Sequence, residues 1–170
     1  MVLDVLARHH RLPFSKIACL SLLARGTLAG REAVLAKPQT FMNNSGDAVR
    51  ALQGTYGVDP ADLLVLYDDL DLPFGQLRFR SSGGPGTHKG MLSIVGTLGT
   101  TEFPRLRIGI GPGQGDAADF VLSPFSRDER PELPALLDRA ARGVERYLTE
   151  GAGKAMMEIN PRPAGGTEDA

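Results

Sequence analysis

Three short stretches of this 170-residue chain hold side chains able to do chemistry. The first is KPQTFMNNSG (37–46), in which Phe41 and Met42 precede Asn43, Asn44 and Ser45. An amide at Asn43 can hydrogen-bond a carbonyl or a water, with Phe41 as a stacking wall beside it. Asn44 or Ser45 would equally serve to cap a following helix, and Phe41 to pack. The second stretch, LYDDLDLPFG (66–75), crowds Asp68, Asp69 and Asp71 into four residues. Such crowding suits a Mg²⁺ site, or one carboxylate orienting a histidine in a hydrolase constellation. A solvated turn around Pro73 and Gly75 is the third option, and the residues alone leave all three open. The third stretch, SSGGPGTHKGM (81–91), has glycines at 83, 84, 86 and 90, then His88 and Lys89 at an expected helix start. Glycines let a backbone approach a ligand closely, and a helix start favours anions. A phosphate-bearing ligand is the functional reading, although the spacing is not that of a Walker loop. A flexible loop entering a helix is the structural one. Arg78 and Arg80 share one face of QLRFRSS, and Arg105 and Arg107 one face of RLRIGIG; such pairs can clamp a phosphate or can be ordinary strand-end charge.

The elements that must position these residues follow from periodicity. Val2, Leu3, Val5 and Leu6 predict a first helix to about Arg11, with no capping residue ahead of it. IACLSLLARGTLAGREAVLAKPQ reads as two strands in a hairpin about Leu28-Ala29-Gly30. A helix within SGDAVRALQGTYG places Ala48, Val49, Leu52 and Tyr56 on one face and ends at Gly57. LLVLY has the continuous apolar character of a strand covered on both sides, with Asp68 directly at its carboxyl end. QLRFRSS is a further strand, Lys89 to Leu98 a helix, RLRIGIG a buried strand, and Asp128 to about Glu150 the longest helix. Strands alternating with helices point to an open α/β sheet in a single domain over 1–160. The Pro/Gly-rich residues 161–170 are expected to form a disordered tail. Ligands of such sheets bind beyond the carboxyl ends of the strands, which is where the three stretches fall.

Composition narrows the classes. Hydrophobic content of 42% and charged content of 23% are those of a globular protein, and no apolar run approaches the length of a membrane span. The start lacks the basic leader of a secretory signal. A single cysteine, Cys19, excludes an internal disulfide and fits a reducing cytoplasm. Three histidines and one cysteine exclude zinc-type spacing. The formal net charge of −1 argues against a protein wrapped broadly in nucleic acid, while leaving room for a small basic patch.

Taken together, KPQTFMNNSG (37–46), LYDDLDLPFG (66–75), GGPGTHKGM (83–91) and FPRLRIGIG (103–111) resemble the bacterial-type peptidyl-tRNA hydrolase family from Met1 to about Asn160. The resemblance implies a single α/β domain around a twisted, mixed and largely parallel sheet flanked by helices. It implies hydrolysis of the ester between a peptide and tRNA, with tRNA as partner, no metal or other cofactor, no membrane, a cytoplasmic location and a monomer. It assigns Asp68 and Asn43 to catalysis, with Asp68 orienting the catalytic histidine. Phe41, Asn43, His88 and Lys89 would contact substrate, and Arg80 and Arg107 the tRNA phosphate. Lys89 departs from the family, where an Asn is common; a lysine donates but cannot accept a hydrogen bond.

In the family, a first strand, a G-N-P-G turn and an R-H-N-x-G stretch precede a helix much like MVLDVLA. The resemblance therefore puts the catalytic histidine upstream of Met1, and a late-called start is the expected reason. Neither His9 nor His10, about 12 Å along the helix at 1.5 Å per residue, nor His88 in the glycine loop is expected to replace it. Hydrolysis by the chain as it stands is expected to be impaired. A non-catalytic RNA-binding relative and a metal-dependent phosphoesterase using Asp68, Asp69 and Asp71 are the alternatives.

Overall fold

Helix α1 (Val2–His9) buries Val2, Val5, Leu6 and Ala7 and leaves Asp4 and Arg8 outside, the stripe its spacing predicts. The computed structural model describes residues 1–111 and 117–160, and the expected tail at 161–170 lies outside the described residues. The helix ends two residues earlier than expected: His10 closes it, and Arg11 takes a positive φ of 55°. Strands β1 (Lys16–Ala18), β2 (Ser21–Leu28) and β3 (Arg31–Pro38) follow in an antiparallel meander. Ala29 and Gly30, both at positive φ, make the two-residue turn anticipated between β2 and β3. The apolar run IACLSLL hides a second such turn. Cys19 and Leu20 also adopt positive φ, so β1 is a separate short strand.

The second half contains α2 (Ser45–Tyr56), β4 (Val65–Pro73), β5 (Leu77–Arg80), α3 (Lys89–Leu98), β6 (Arg105–Gly111), α4 (Ala117–Leu122), α5 (Leu133–Glu150) and α6 (Ala152–Ile159). Gly57, at φ 64°, closes α2 in the left-handed conformation. Helix α5 starts at Leu133 instead of Asp128, with Pro134 in its first turn, where a missing N–H is harmless. Gly151 stops α5 as expected, but the chain re-enters a helix at once, and α6 is an element the periodicity did not reveal.

The described strands form two three-stranded sheets, β1-β2-β3 and β4-β6-β5. The architecture is the expected single-domain mixed α/β, but only β4 and β6 pair in parallel. The reason is local: tight turns join β1, β2 and β3, whereas the route from β4 to β6 passes through α3. Leu28 and Leu35 of the first sheet and Leu77, Phe79 and Leu106 of the second share one core with α1, α5 and α6. Val49, Met91, Ile94 and Phe103 form a second core, against which Val65 and Tyr67 pack. Strand β4 is thus covered on both faces, as LLVLY suggests. Among the described residues, no helix is long and apolar enough to cross a membrane.

Candidate active site

Strand β4 does not stop at Tyr67 but runs on to Pro73, so Asp68 lies within the strand, opposite Ile108 of β6. Alternation sends Leu66 and Asp68 to one face and Tyr67 and Asp69 to the other. Asp68 is half-buried and, among the described residues, makes no hydrogen bond or ion pair. Asp69 is the buried carboxylate, 8% exposed. Its Oδ2 accepts a hydrogen bond from Arg107 Nε, and its Oδ1 accepts one from the Asp71 N–H at 2.9 Å. That hydrogen bond raises the Arg107 pKa above its ordinary value, outweighing partial burial. The sequence offers Asp69 only as one of three clustered carboxylates, although its two-residue spacing from Tyr67 in an apolar strand is a signal of burial on the same face. The three carboxylates do not converge. Among the described residues, no group of three or more His, Cys, Asp or Glu could hold a metal ion.

The four arginines do share one face, as their alternation predicts. Tyr67, Arg107 and Arg78 form one row across β4-β6-β5, and Val65, Arg105 and Arg80 the next. Their environments differ sharply. Arg80 is exposed and unpaired among the described residues. Arg107 is partly buried against Asp69, while Arg105 is 1% exposed and its pKa is pulled down by burial. Burial also raises the Tyr67 phenol above its usual value. Arg80 and Arg107 are diagonal neighbours on adjacent strands, within reach of one anionic group.

The first and third stretches meet. Phe41 is 82% exposed and leads into a 3₁₀ turn (Met42–Asn44) that packs against α3. The capping expected of Asn44 or Ser45 is not made: Ser45 Oγ instead donates back to the Met42 carbonyl at 2.8 Å. Asn43, exposed, keeps its amide for other partners. Two glycines permit this approach. A Cβ on Gly90 would come 2.6 Å from Met42 Sδ, and one on Gly46 would come 2.1 Å from Thr97 Oγ1. The Gly46 N–H donates to Ser93 Oγ at 2.9 Å across the same contact.

His88 joins the second stretch to this pair. Its Nδ1 accepts the Met91 N–H at 3.1 Å, capping α3, and its ring centroid lies 4.8 Å from that of Tyr67. Lys89, exposed, is the first residue of α3. Asn43, Phe41, His88, Lys89 and Tyr67 therefore border one region, with Arg107 and Asp69 on the same sheet face as Tyr67. His9 and His10 are engaged elsewhere, against α5. His10 Nε2 lies 2.8 Å from Glu145 Oε1, and His9 lies 3.8 Å from both Glu145 and Asp138.

Comparison with known proteins places this arrangement. A family model described as peptidyl-tRNA hydrolase matches residues 1–166. A curated peptidyl-tRNA hydrolase from Chloroflexus aurantiacus is 57% identical over 161 residues, spanning 93% of this chain and 86% of that protein. One from Roseiflexus sp. strain RS-1 is 47% identical, spanning 95% of this chain and 76% of that protein. Among solved structures, peptidyl-tRNA hydrolase from Acinetobacter baumannii matches with a TM-score of 0.86 at 28% identity, over 94% of this chain and 82% of that chain.

Proposed function

Because the chain belongs to the peptidyl-tRNA hydrolase family, we propose that its site works on peptidyl-tRNA through Asn43 and Asp68. The family reaction is hydrolysis of the ester that joins a peptide to tRNA. One observation carries the grouping of Asn43 with His88: the stretch bearing Phe41 and Asn43 abuts the segment bearing His88, through Gly90 and Met42, whereas Asp68, on the opposite face of β4 from Tyr67, rests on the family resemblance. In this reading the Asn43 amide holds the ester carbonyl or the attacking water, and Phe41 stacks against the substrate end. Asp68, without a partner among the described residues, receives the N–H of an imidazole general base. Such a carboxylate fixes the tautomer and favours the imidazolium that forms when water gives up its proton. His88 and Lys89 contact the substrate, while Arg80 and Arg107 take the tRNA phosphate. Lys89 donates to the ester or to a nearby phosphate, where an Asn would both donate and accept. The working form is a cytoplasmic monomer, in keeping with the single cysteine.

His9 and His10 face Glu145, and His88 spends Nδ1 on Met91, so none of the three is assigned as the base. The chain should bind peptidyl-tRNA through the residues named above. The test is release of free tRNA from an N-acylaminoacyl-tRNA by wild type, Asn43→Ala, Asp68→Asn and His88→Ala. Asn43→Ala and Asp68→Asn should each lower the rate of hydrolysis by about tenfold or more. His88→Ala should raise KM, as a lost substrate contact does, and leave kcat within about threefold. Loss of turnover with His88→Ala alone would make His88 the base and remove Asp68 from its role. Full turnover in Asp68→Asn would remove Asp68 from its role without naming another base.

A further inference from the structure

Arg105 is buried and, among the described residues, makes no ion pair. Its guanidinium is hydrogen-bonded to backbone oxygens: Nη1 donates to the carbonyls of Gly83 and Gly84, and Nη2 to those of Thr101 and Phe103. Nε donates again to Phe103 at 3.3 Å, and the guanidinium carbon lies 4.2 Å from the centre of the Phe103 ring. A buried charge with no carboxylate in contact is costly, and an apolar residue would fill the space more cheaply. The segment it holds explains its presence. Among the described residues, the loop from Gly83 to Thr87 is otherwise fastened by a single hydrogen bond, from the Gly83 N–H to the Thr101 carbonyl at 3.2 Å. Gly83 and Gly86 sit at positive φ, where glycine's wide conformational range leaves the loop's placement to its contacts. It leads directly into His88 and Lys89.

We propose that Arg105 is a positioning residue: it pins the glycine loop to the base of β6 and thereby fixes His88 and Lys89 as a preformed substrate surface. A planar fork with five donors can span four carbonyls on two segments, which the single ammonium of a lysine cannot. Arg107, two residues along the same strand face, pairs with Asp69 instead, so the two arginines of RLRIGIG divide into one that holds the loop and one that holds a carboxylate beside the proposed phosphate site. The consequence for substrate rests on the peptidyl-tRNA reading above, whereas the pinning itself is read without any substrate.

The experiment compares wild type with Arg105→Lys and Arg105→Met by amide exchange, guanidinium NMR and peptidyl-tRNA kinetics. In wild type, the fixed guanidinium should show separately resolved Nη signals, because rotation about the Cζ–N bonds is blocked. In Arg105→Lys, the Gly83 and Met91 amides should exchange about tenfold faster, while Leu136 and Ala140 amides in α5 stay within about twofold. KM or Kd for peptidyl-tRNA should rise about tenfold and kcat change by less than about threefold. Rotationally averaged Nη signals in wild type would overturn the proposal even if Arg105→Met fails to fold. Unchanged exchange at Gly83 in Arg105→Lys, or acceleration shared equally by α5, would also overturn it. Wild-type failure to bind peptidyl-tRNA, with the exchange difference present, would remove the substrate reading and leave the pinned loop standing.

Discussion

Two neighbouring carboxylates, Asp68 and Asp69, occupy opposite faces of β4, and with the face go burial and an arginine partner for Asp69 alone. Asp69 is buried and answers Arg107, so its loss leaves a partly buried guanidinium without its counter-charge. Asp69→Asn should therefore lower stability by about 1–3 kcal/mol, a drop of several degrees in Tm for a domain of this size. Asp68 has no partner to lose among the described residues, and Asp68→Asn should change stability by less than about 0.5 kcal/mol while removing the carboxylate proposed for catalysis. Thermal unfolding of both variants beside the hydrolysis assay checks this. A stability loss confined to Asp68→Asn would reverse the assignment of the two faces. From the sequence alone, DDLD offers three equivalent carboxylates. What distinguishes them is register, because a strand running four residues past Asp69 puts both of the first two inside the sheet. The capping expected of Asn44 or Ser45 failed for a similar reason. A 3₁₀ turn precedes α2, and it turns the Ser45 hydroxyl back to Met42.

At the level of elements, the sequence was most informative where periodicity and a stop signal coincided. Helix α3 from Lys89 to Leu98 and strand β6 from Arg105 to Gly111 fall where the pattern puts them. It was least informative where a turn lies within an apolar run, as at Cys19 and Leu20, or where tertiary contacts sustain a short helix. Helix α6 is such a case: the Asn160 side chain at its end accepts the Phe79 N–H at 2.7 Å and donates to the Phe79 carbonyl at 3.1 Å, docking it on β5. Helix α1 is tied to β3 by a different device, the ion pair between Asp4 and Lys37. The Lys37 hydrogen bond holds the Asp4 carboxyl below its ordinary value of 3.8. A folded-state pKa below the unfolded one stabilises the fold above about pH 3.8, and that contribution is lost as pH falls through the folded value. Both side chains are partly exposed, so the effect is modest and screened by salt. Tm followed from about pH 5 to about pH 2 should fall less steeply in Asp4→Asn than in wild type, and less so in high salt. Parallel curves would show that the ion pair does not tie α1 to the sheet.

Over the whole molecule, a net charge of −1 coexists with a sheet face carrying four arginines, so affinity for a polyanion depends on where the cations lie and on which of them are already neutralised. Arg105 is spent on backbone carbonyls and cannot reach a phosphate in solution. Arg107 shares its charge with Asp69, while Arg80 stands exposed with no counter-charge among the described residues. Counterion release on binding RNA should therefore come from Arg80 far more than from Arg107. Measured as log Kd for tRNA against log salt concentration, Arg80→Gln should reduce the slope by about 0.7–0.9. Arg107→Gln should weaken binding at every salt concentration but change the slope by much less, since Asp69 already supplies its anion. Asp69→Asn gives the complementary result: with Arg107 released from its partner, the slope should steepen towards that of one additional phosphate contact. Equal slope changes for Arg80→Gln and Arg107→Gln would mean that the Asp69 pair opens when RNA binds, and a slope unaffected by either would place the RNA on another face of the molecule.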